Sequence, residues 1–200
     1  MEKVLIEIEM ENGDVMKGEL YPEVAPITVE NFLKLIDEDF FAGLIFHRVI
    51  PGFMIQGGGY TKDFKEKHCD SIKGEFKSNG VNNELKHTEG VLSMARTMVH
   101  DSAGSQFFIM VADAPHLDNQ YASFGKVIEG MENVNKIAKT PTTFNDRPRN
   151  PQVIEGMEVA DEIVKAKRDY NDKPLEDQKM VKVTVGTFGE TYDEPEKVGR

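Results

Sequence analysis

Phe46-His47-Arg48-Val49-Ile50-Pro51-Gly52-Phe53-Met54-Ile55-Gln56-Gly57-Gly58-Gly59 sets two apolar runs on either side of a Pro-Gly turn signal. One arginine and one glutamine stand among the apolar side chains. The runs read as two strands joined by a tight turn, with side chains alternating between faces. Phe46, Arg48 and Ile50 are then expected on one face, with His47 and Val49 on the other. Past the turn, Met54 and Gln56 share a face, opposite Phe53 and Ile55. A guanidinium and an amide thus converge beside large apolar groups. A charge held there is costly unless it is paired or used. Arg48 is either a structural ion-pair member or a working group, and the spacing leaves both readings open.

The flanking sequence continues in short strands. Val4 to Met10 alternates, Asn12-Gly13-Asp14 is a strong hairpin signal, and Val15 to Leu20 reads as the returning strand. A helix follows, with Thr28 as its N-cap and Val29, Phe32, Leu33 and Ile36 on one face. Residues 60–90 are polar and glycine-punctuated and read as a long excursion. Val91 to Ala95, Gln106 to Val111 and Ser123 to Ile128 read as further strands, and Gly130 to Ala138 as a second helix. Many short strands with few helices indicate a mainly β sandwich or barrel.

The chain has 200 residues, which suits a single domain, 1–200. Hydrophobic residues at 39% and charged residues at 30% support a sizeable core. A net charge of -11 argues against nucleic acid and anionic membrane as main partners. Cys69 is the single cysteine, and neither a signal peptide nor a membrane-length apolar run is present. A cytoplasmic protein is expected.

The C-terminal part contains a tandem repeat, 127–152 and 153–178. Val127-Ile128-Glu129-Gly130-Met131-Glu132 recurs as Val153-Ile154-Glu155-Gly156-Met157-Glu158, and 12 of 26 positions are identical at that offset. Val153 to Val159 can repeat the strand-into-helix unit or can close a sheet, as can Val181-Lys182-Val183-Thr184-Val185. The surplus copy is an added segment or an exchange element between chains. Residues 190–200 read as a surface tail.

Other chemistries find little support. Gly57-Gly58-Gly59 lacks the Lys-Ser/Thr ending of a phosphate loop. His47, His68, Cys69, His87, His100 and His116 show no metal-ligand spacing, and no nucleophile elbow surrounds Ser105. No cofactor is expected. Gly104-Ser105-Gln106-Phe107-Phe108-Ile109-Met110 is more informative. It puts Gln106 and Phe108 on one strand face, as an apolar pocket with a few polar groups requires.

Taken together, Phe46 to Gly58, Val91-Leu92-Ser93-Met94-Ala95, Gly104 to Phe108 and Phe124-Gly125-Lys126-Val127 resemble the cyclophilin-type peptidyl-prolyl cis-trans isomerases. The similarity covers residues 2–140 and resumes at 180–190, and is nearest the single-domain bacterial cytosolic forms. The resemblance implies a closed eight-stranded antiparallel β-barrel capped by two helices, here with an extra segment from the duplication. It implies Arg48 as the catalytic residue, a proline pocket of Phe53, Met54, Phe108 and Leu117, and a substrate backbone held by Gln56 and Gln106. Ala95 and Arg96 fall on the segment that binds peptide through its main chain. Partners would be proline-containing peptides and unfolded chains. Arg96 stands where many members have asparagine, His116 where many have an aromatic residue at the pocket rim, and Tyr121 where many have histidine. The last two changes imply weakened cyclosporin binding. The competing reading on the same barrel is a non-catalytic proline-peptide-binding or chaperone module.

Overall fold

The computed structural model describes residues 4–159 and the backbone of 197–198. The strands are β1 (Val4–Met10), β2 (Val15–Leu20), β3 (Leu44–Ile50), β4 (Met54–Thr61), β5 (Ser71–Ile72), β6 (Val91–Met94), β7 (Phe107–Met110), β8 (Ser123–Glu129), β9 (Ile154–Val159) and β10 (Lys197–Val198). The described residues also include two α-helices, α1 (Pro26–Asp37) and α2 (Met131–Ala138), and two short 3-10 turns, Lys77–Asn79 and Pro115–Leu117. Eight strands form one antiparallel sheet in the order β3-β4-β7-β6-β8-β2-β1-β9. The sheet comes back on itself where Ile45 bridges Val153 and the Phe46 N–H donates to the Gln152 carbonyl at 2.9 Å. This nearly closed barrel with two helices agrees with the mainly β expectation.

The interior is aromatic. Phe32 of α1 lies 4.9 Å from Phe41, 5.3 Å from Phe107 and 5.0 Å from Phe124, ring centre to ring centre. Tilted and edge-on pairs of this kind add to what their burial contributes. Val49, Ile55, Ile109 and Leu92 are successive partners across β3, β4, β7 and β6 and point into this core.

Two local expectations are corrected. Thr28 does not cap α1. The helix begins at Pro26, whose missing N–H is harmless at the first position. The buried Glu75 carboxylate accepts from the Ile27 N–H at 3.1 Å, the Thr28 N–H at 2.7 Å and the Thr28 hydroxyl at 2.7 Å. An acid from a distant loop therefore satisfies the orphan donors of the first turn. The second correction concerns β3. The ladder steps from Phe46↔Gly57 to Arg48↔Gln56, so His47 is an extra, bulged residue. Phe46 turns into the core and Arg48 turns out, whereas strict alternation puts both on one face.

In the C-terminal part, the open alternative resolves for Val153 to Val159. β9 lies beside β1 and closes the sheet. Val181 to Val185 and most of the second repeat copy lie outside the described residues. Within the expected tail, Lys197–Val198 pair with Ser71–Ile72.

Candidate functional site

The outer face of the same sheet carries a second row. Arg48 pairs with Gln56, Gln56 with Phe108, and Phe108 with Ser93. Directly opposed residues point to the same side, so the bulge at His47 brings Arg48 into register with Gln56 and Phe108. The Gln56 Nε2 donates to Gln106 Oε1 at 3.1 Å. The Gln106 carbonyl accepts from the Ala95 N–H at 2.9 Å, which removes that donor from the set available to a peptide.

Beside this row lies an apolar cluster separate from the main core. Met54, Val91, Phe108, Met110, Ala114 and Leu117 form it, with Ile50, Phe53, Leu85, Ala95 and Tyr121 packed against them. Every apolar residue of the expected proline pocket falls here. Phe53 was expected opposite Met54, yet it joins the same cluster. It sits in the turn before β4 starts, where strand alternation does not apply. The His116 ring stacks on Phe53 at 5.7 Å, and Tyr121 meets Phe108 edge-on at 5.9 Å. His116 and Tyr121 thus stand at the two sides of the pocket.

Arg48 is not buried among its apolar neighbours. Its side chain is 47% exposed, and its Nε lies 3.8 Å from Asp146 Oδ2. A half-exposed pair at that distance contributes about 1 kcal/mol at most. Asp146 is carried in by the loop 141–151, whose main chain docks on β3 where the Val49 N–H donates to the Asp146 carbonyl at 2.8 Å. Behind Arg48, burial and the adjacent guanidinium push the His47 ring down to about 4, so it is neutral. His47 Nδ1 is buried without a hydrogen-bond partner among the described residues.

One contributor has no local signal in the sequence. His87 stacks against Phe108 at 6.1 Å on the side away from solvent. Its Nδ1 lies 3.1 Å from Asp118 Oδ1 and its Nε2 2.9 Å from Ser93 Oγ. A carboxylate only accepts, so Nδ1 carries the proton and Nε2 accepts from the serine hydroxyl. Burial lowers the His87 pKa, partly offset by Asp118. The neutral ring is a fixed backing for Phe108. The sequence offers no clue because Asp118 lies 31 residues away.

The Gly57-Gly58-Gly59 run serves the protein's own side chains. Gly58 has φ +82° at the irregularity in β4, a conformation that side chains other than glycine resist. A Cβ on Gly59 would lie 2.5 Å from Gln106 Cγ. Among the described residues no group of three or more His, Cys, Asp or Glu could hold a metal ion, and no helix is long and apolar enough to cross a membrane.

The chain as a whole is similar to known proteins. The model of a family described as cyclophilin type peptidyl-prolyl cis-trans isomerase/CLD matches residues 5–153. The chain is 48% identical over 145 residues to the peptidyl-prolyl cis-trans isomerase of Acinetobacter baylyi, covering 70% of this chain and 74% of that one. It is 44% identical over 133 residues to peptidyl-prolyl cis-trans isomerase B of Bacillus subtilis, covering 62% and 82%. The crystal structure of a Cryptosporidium parvum cyclophilin type isomerase in the presence of the dipeptide Ala-Pro is similar with a TM-score of 0.66 at 30% identity, covering 78% of this chain and 98% of that one.

Proposed function

The chain belongs to the cyclophilin-type peptidyl-prolyl cis-trans isomerases, and from that premise we propose that Arg48 and the adjoining apolar cluster carry its isomerase chemistry. The reaction is rotation about an X-Pro peptide bond. Amide resonance opposes it with a barrier of ~18–20 kcal/mol, and uncatalysed exchange takes roughly tens to hundreds of seconds. No covalent bond breaks, so neither nucleophile nor metal is called for. At the twisted transition state the prolyl nitrogen loses conjugation and regains a lone pair. A donor aimed at that nitrogen acts only there, which is the condition for acceleration.

The observation that carries this reading is the row Arg48–Gln56–Phe108 at the edge of a separate apolar cluster. The Arg48 guanidinium is a planar cation that offers a fixed fork of donors. Phe53, Met54, Phe108 and Leu117 would hold the proline ring and exclude water, which strengthens the guanidinium's interaction. Gln56 and Gln106, already joined to each other, would anchor one side of the substrate while the other rotates. The exposure of Arg48 in the free protein suits this role, since the substrate itself covers it. Ala95 and Arg96 would contribute through their main chain, Ala95 by its carbonyl, since its N–H is held by Gln106.

Proline-containing peptides are the substrate class, in keeping with the Ala-Pro dipeptide of the Cryptosporidium structure. Unfolded chains in the cytoplasm are the natural source we infer, and a net charge of -11 argues against nucleic acid and anionic membrane as main partners. Cyclosporin would bind weakly, because His116 and Tyr121 shape the rim.

The test is an isomerisation assay on a short X-Pro peptide with wild type and Arg48→Ala. We expect kcat/KM to fall roughly 10²–10³-fold, the scale of removing one preorganised donor. The melting temperature should move by no more than about 4 °C. Equal turnover in the two proteins would refute the role of Arg48 and favour the non-catalytic binding module.

A further inference from the structure

Arg96 does more than lend its backbone to the groove. Its guanidinium carbon lies 4.7 Å from the centre of the Tyr121 ring and 4.9 Å from that of Phe76, so the cation sits between two aromatic faces. All three nitrogens are engaged at its edges. Nε and one terminal nitrogen donate to the Gln120 carbonyl at 3.1 and 2.8 Å, and the other donates to the Thr97 carbonyl at 2.9 Å. Planar stacking and a forked set of donors act on the same group, a combination lysine or asparagine does not reproduce.

The two rings belong to different parts of the fold. Phe76 is 1% exposed and part of the main core. Tyr121 is partly exposed and packs on the pocket cluster, edge-on to Phe108. Arg96 therefore ties the buried interior to a rim side chain, gripping the Tyr121 ring by its face while Phe108 meets it edge-on. At that rim lies an open cleft of about 630 Å³, lined by Arg96, Met98, His116, Leu117 and Tyr121 among others. Leu117 and Tyr121 also belong to the pocket cluster, so the cleft and the pocket are continuous. Tyr121 is the partition between them.

We propose that Arg96 is a positioning residue for substrate binding: it fixes Tyr121 as the wall of the proline pocket without touching the rotating bond. The inference rests on the apolar cluster being the proline pocket. A loosened Tyr121 leaves the proline ring unsupported on one side, in the ground state and the transition state alike. Loss of such uniform binding raises KM more than it lowers kcat.

The experiment compares Arg96→Asn, Arg96→Lys, Tyr121→Ala and the double variant Arg96→Asn/Tyr121→Ala. Each is assayed on a short X-Pro peptide and titrated with an Ala-Pro-containing peptide to obtain Kd. Arg96→Asn should raise KM and Kd about five-fold, with kcat falling less than about two-fold, the equivalent of losing about one cation–π contact. Arg96→Lys should lie near Arg96→Asn, because charge without the planar fork does not hold the ring. The double variant should match Tyr121→Ala alone. A merely structural Arg96 would lower the melting temperature and the active fraction, leave KM unmoved and add its effect to that of Tyr121→Ala. Unchanged KM and Kd in both Arg96 variants, or additivity with Tyr121→Ala, overturns the proposal. Should Arg96→Asn fail to fold, Arg96→Lys against its own Tyr121→Ala double gives the same reading. The Kd measurement does not depend on turnover, so it separates failure of this inference from failure of the role given to Arg48.

Discussion

Substituting Gly59 by alanine should damage the site without altering any residue that touches substrate. Gly59 lies in β4 and outside the left-handed region, so the alanine backbone itself is tolerated. The added Cβ would stand 2.5 Å from Gln106 Cγ, 2.7 Å from Cδ and 2.8 Å from Nε2. Carbon atoms in contact prefer about 3.5–4.0 Å, so the Gln106 side chain must withdraw by roughly 1 Å. Its hydrogen bond from Gln56 is already 3.1 Å long, and such a shift takes it beyond bonding distance. A neutral hydrogen bond of this kind contributes about 0.5–1.5 kcal/mol, which corresponds to roughly a 2- to 10-fold fall in kcat/KM. The assay is isomerisation of a short X-Pro peptide, with circular dichroism to establish that the fold persists. The decisive comparison is Gly59→Ala in a Gln106→Ala background. There the atoms in the way are gone, so the second substitution should cost nothing further. Full activity in Gly59→Ala, or additive losses in the double variant, would refute the idea that this glycine exists to make room for Gln106.

Three further predictions concern stability. Because the folded His47 titrates at about 4, below the ordinary value of about 6.5, the unfolded chain takes up the proton first. Stability is therefore fully present above about pH 6.5 and falls toward pH 4; urea titrations should show a loss of about 2 kcal/mol between pH 7 and 5 that His47→Phe abolishes. Glu75→Ala leaves the first turn of α1 without its acceptor, and should cost about 2 kcal/mol, seen as a melting temperature lower by roughly 4–8 °C. Glu158 stands opposite Glu7 across β9 and β1, and burial together with Glu7 and Glu9 raises its carboxyl pKa. Glu158→Lys should stabilise by about 0.5–1 kcal/mol at low salt, and an unchanged melting temperature would mean that β9 does not occupy this place in solution.

The sequence was most legible where one period held over a whole segment. β1, β2 and the buried face of α1 follow directly from alternation or helical spacing, as does the split of Gln106 and Phe108 from Phe107 and Ile109. It misled where the chain departs from periodicity by one residue. The bulge at His47 moves Phe46 to the core and Arg48 to the surface, and no residue type announces a bulge there. Long-range partners were invisible for a different reason: Glu75 at the start of α1 and His87 behind Phe108 are chosen by the tertiary fold. The repeated hexapeptide makes the point most directly. Val127 to Glu132 ends a strand, turns at Gly130 with φ +82° and enters α2. The identical Val153 to Glu158 runs into an extended strand. Local preference is the same in both, so the neighbours decide. A Cβ on Gly130 would press on the main chain of Val15 and Met16, while Gly156 has open space around it. Two of the three departures from the common family pattern, Arg96 and Tyr121, also prove to touch, which sequence distance conceals.

The seam of the barrel and the outer-face site share the loop 141–151. Closing the sheet with β9 sets Glu158 against Glu7, a like-charge pair that costs up to about 1 kcal/mol. The same step buries Ile154 completely and Met157 to 8% exposure. Two such side chains together contribute several times that cost, at roughly 1.5–3 kcal/mol each. Closure is thus favoured despite the charges, and its consequences reach Arg48. The bonds at the seam, from Phe46 to Gln152 and from Gly43 to Ile154, anchor one end of the loop 141–151 against β3. Arg147 over the Phe64 ring at 3.8 Å and the Val49–Asp146 bond hold its middle. The carboxylate nearest Arg48 therefore arrives on a loop whose position depends on which strand closes the barrel. A change at the seam that leaves the pocket cluster intact should still alter the surroundings of the guanidinium, because Asp146 reaches it on the loop those bonds anchor.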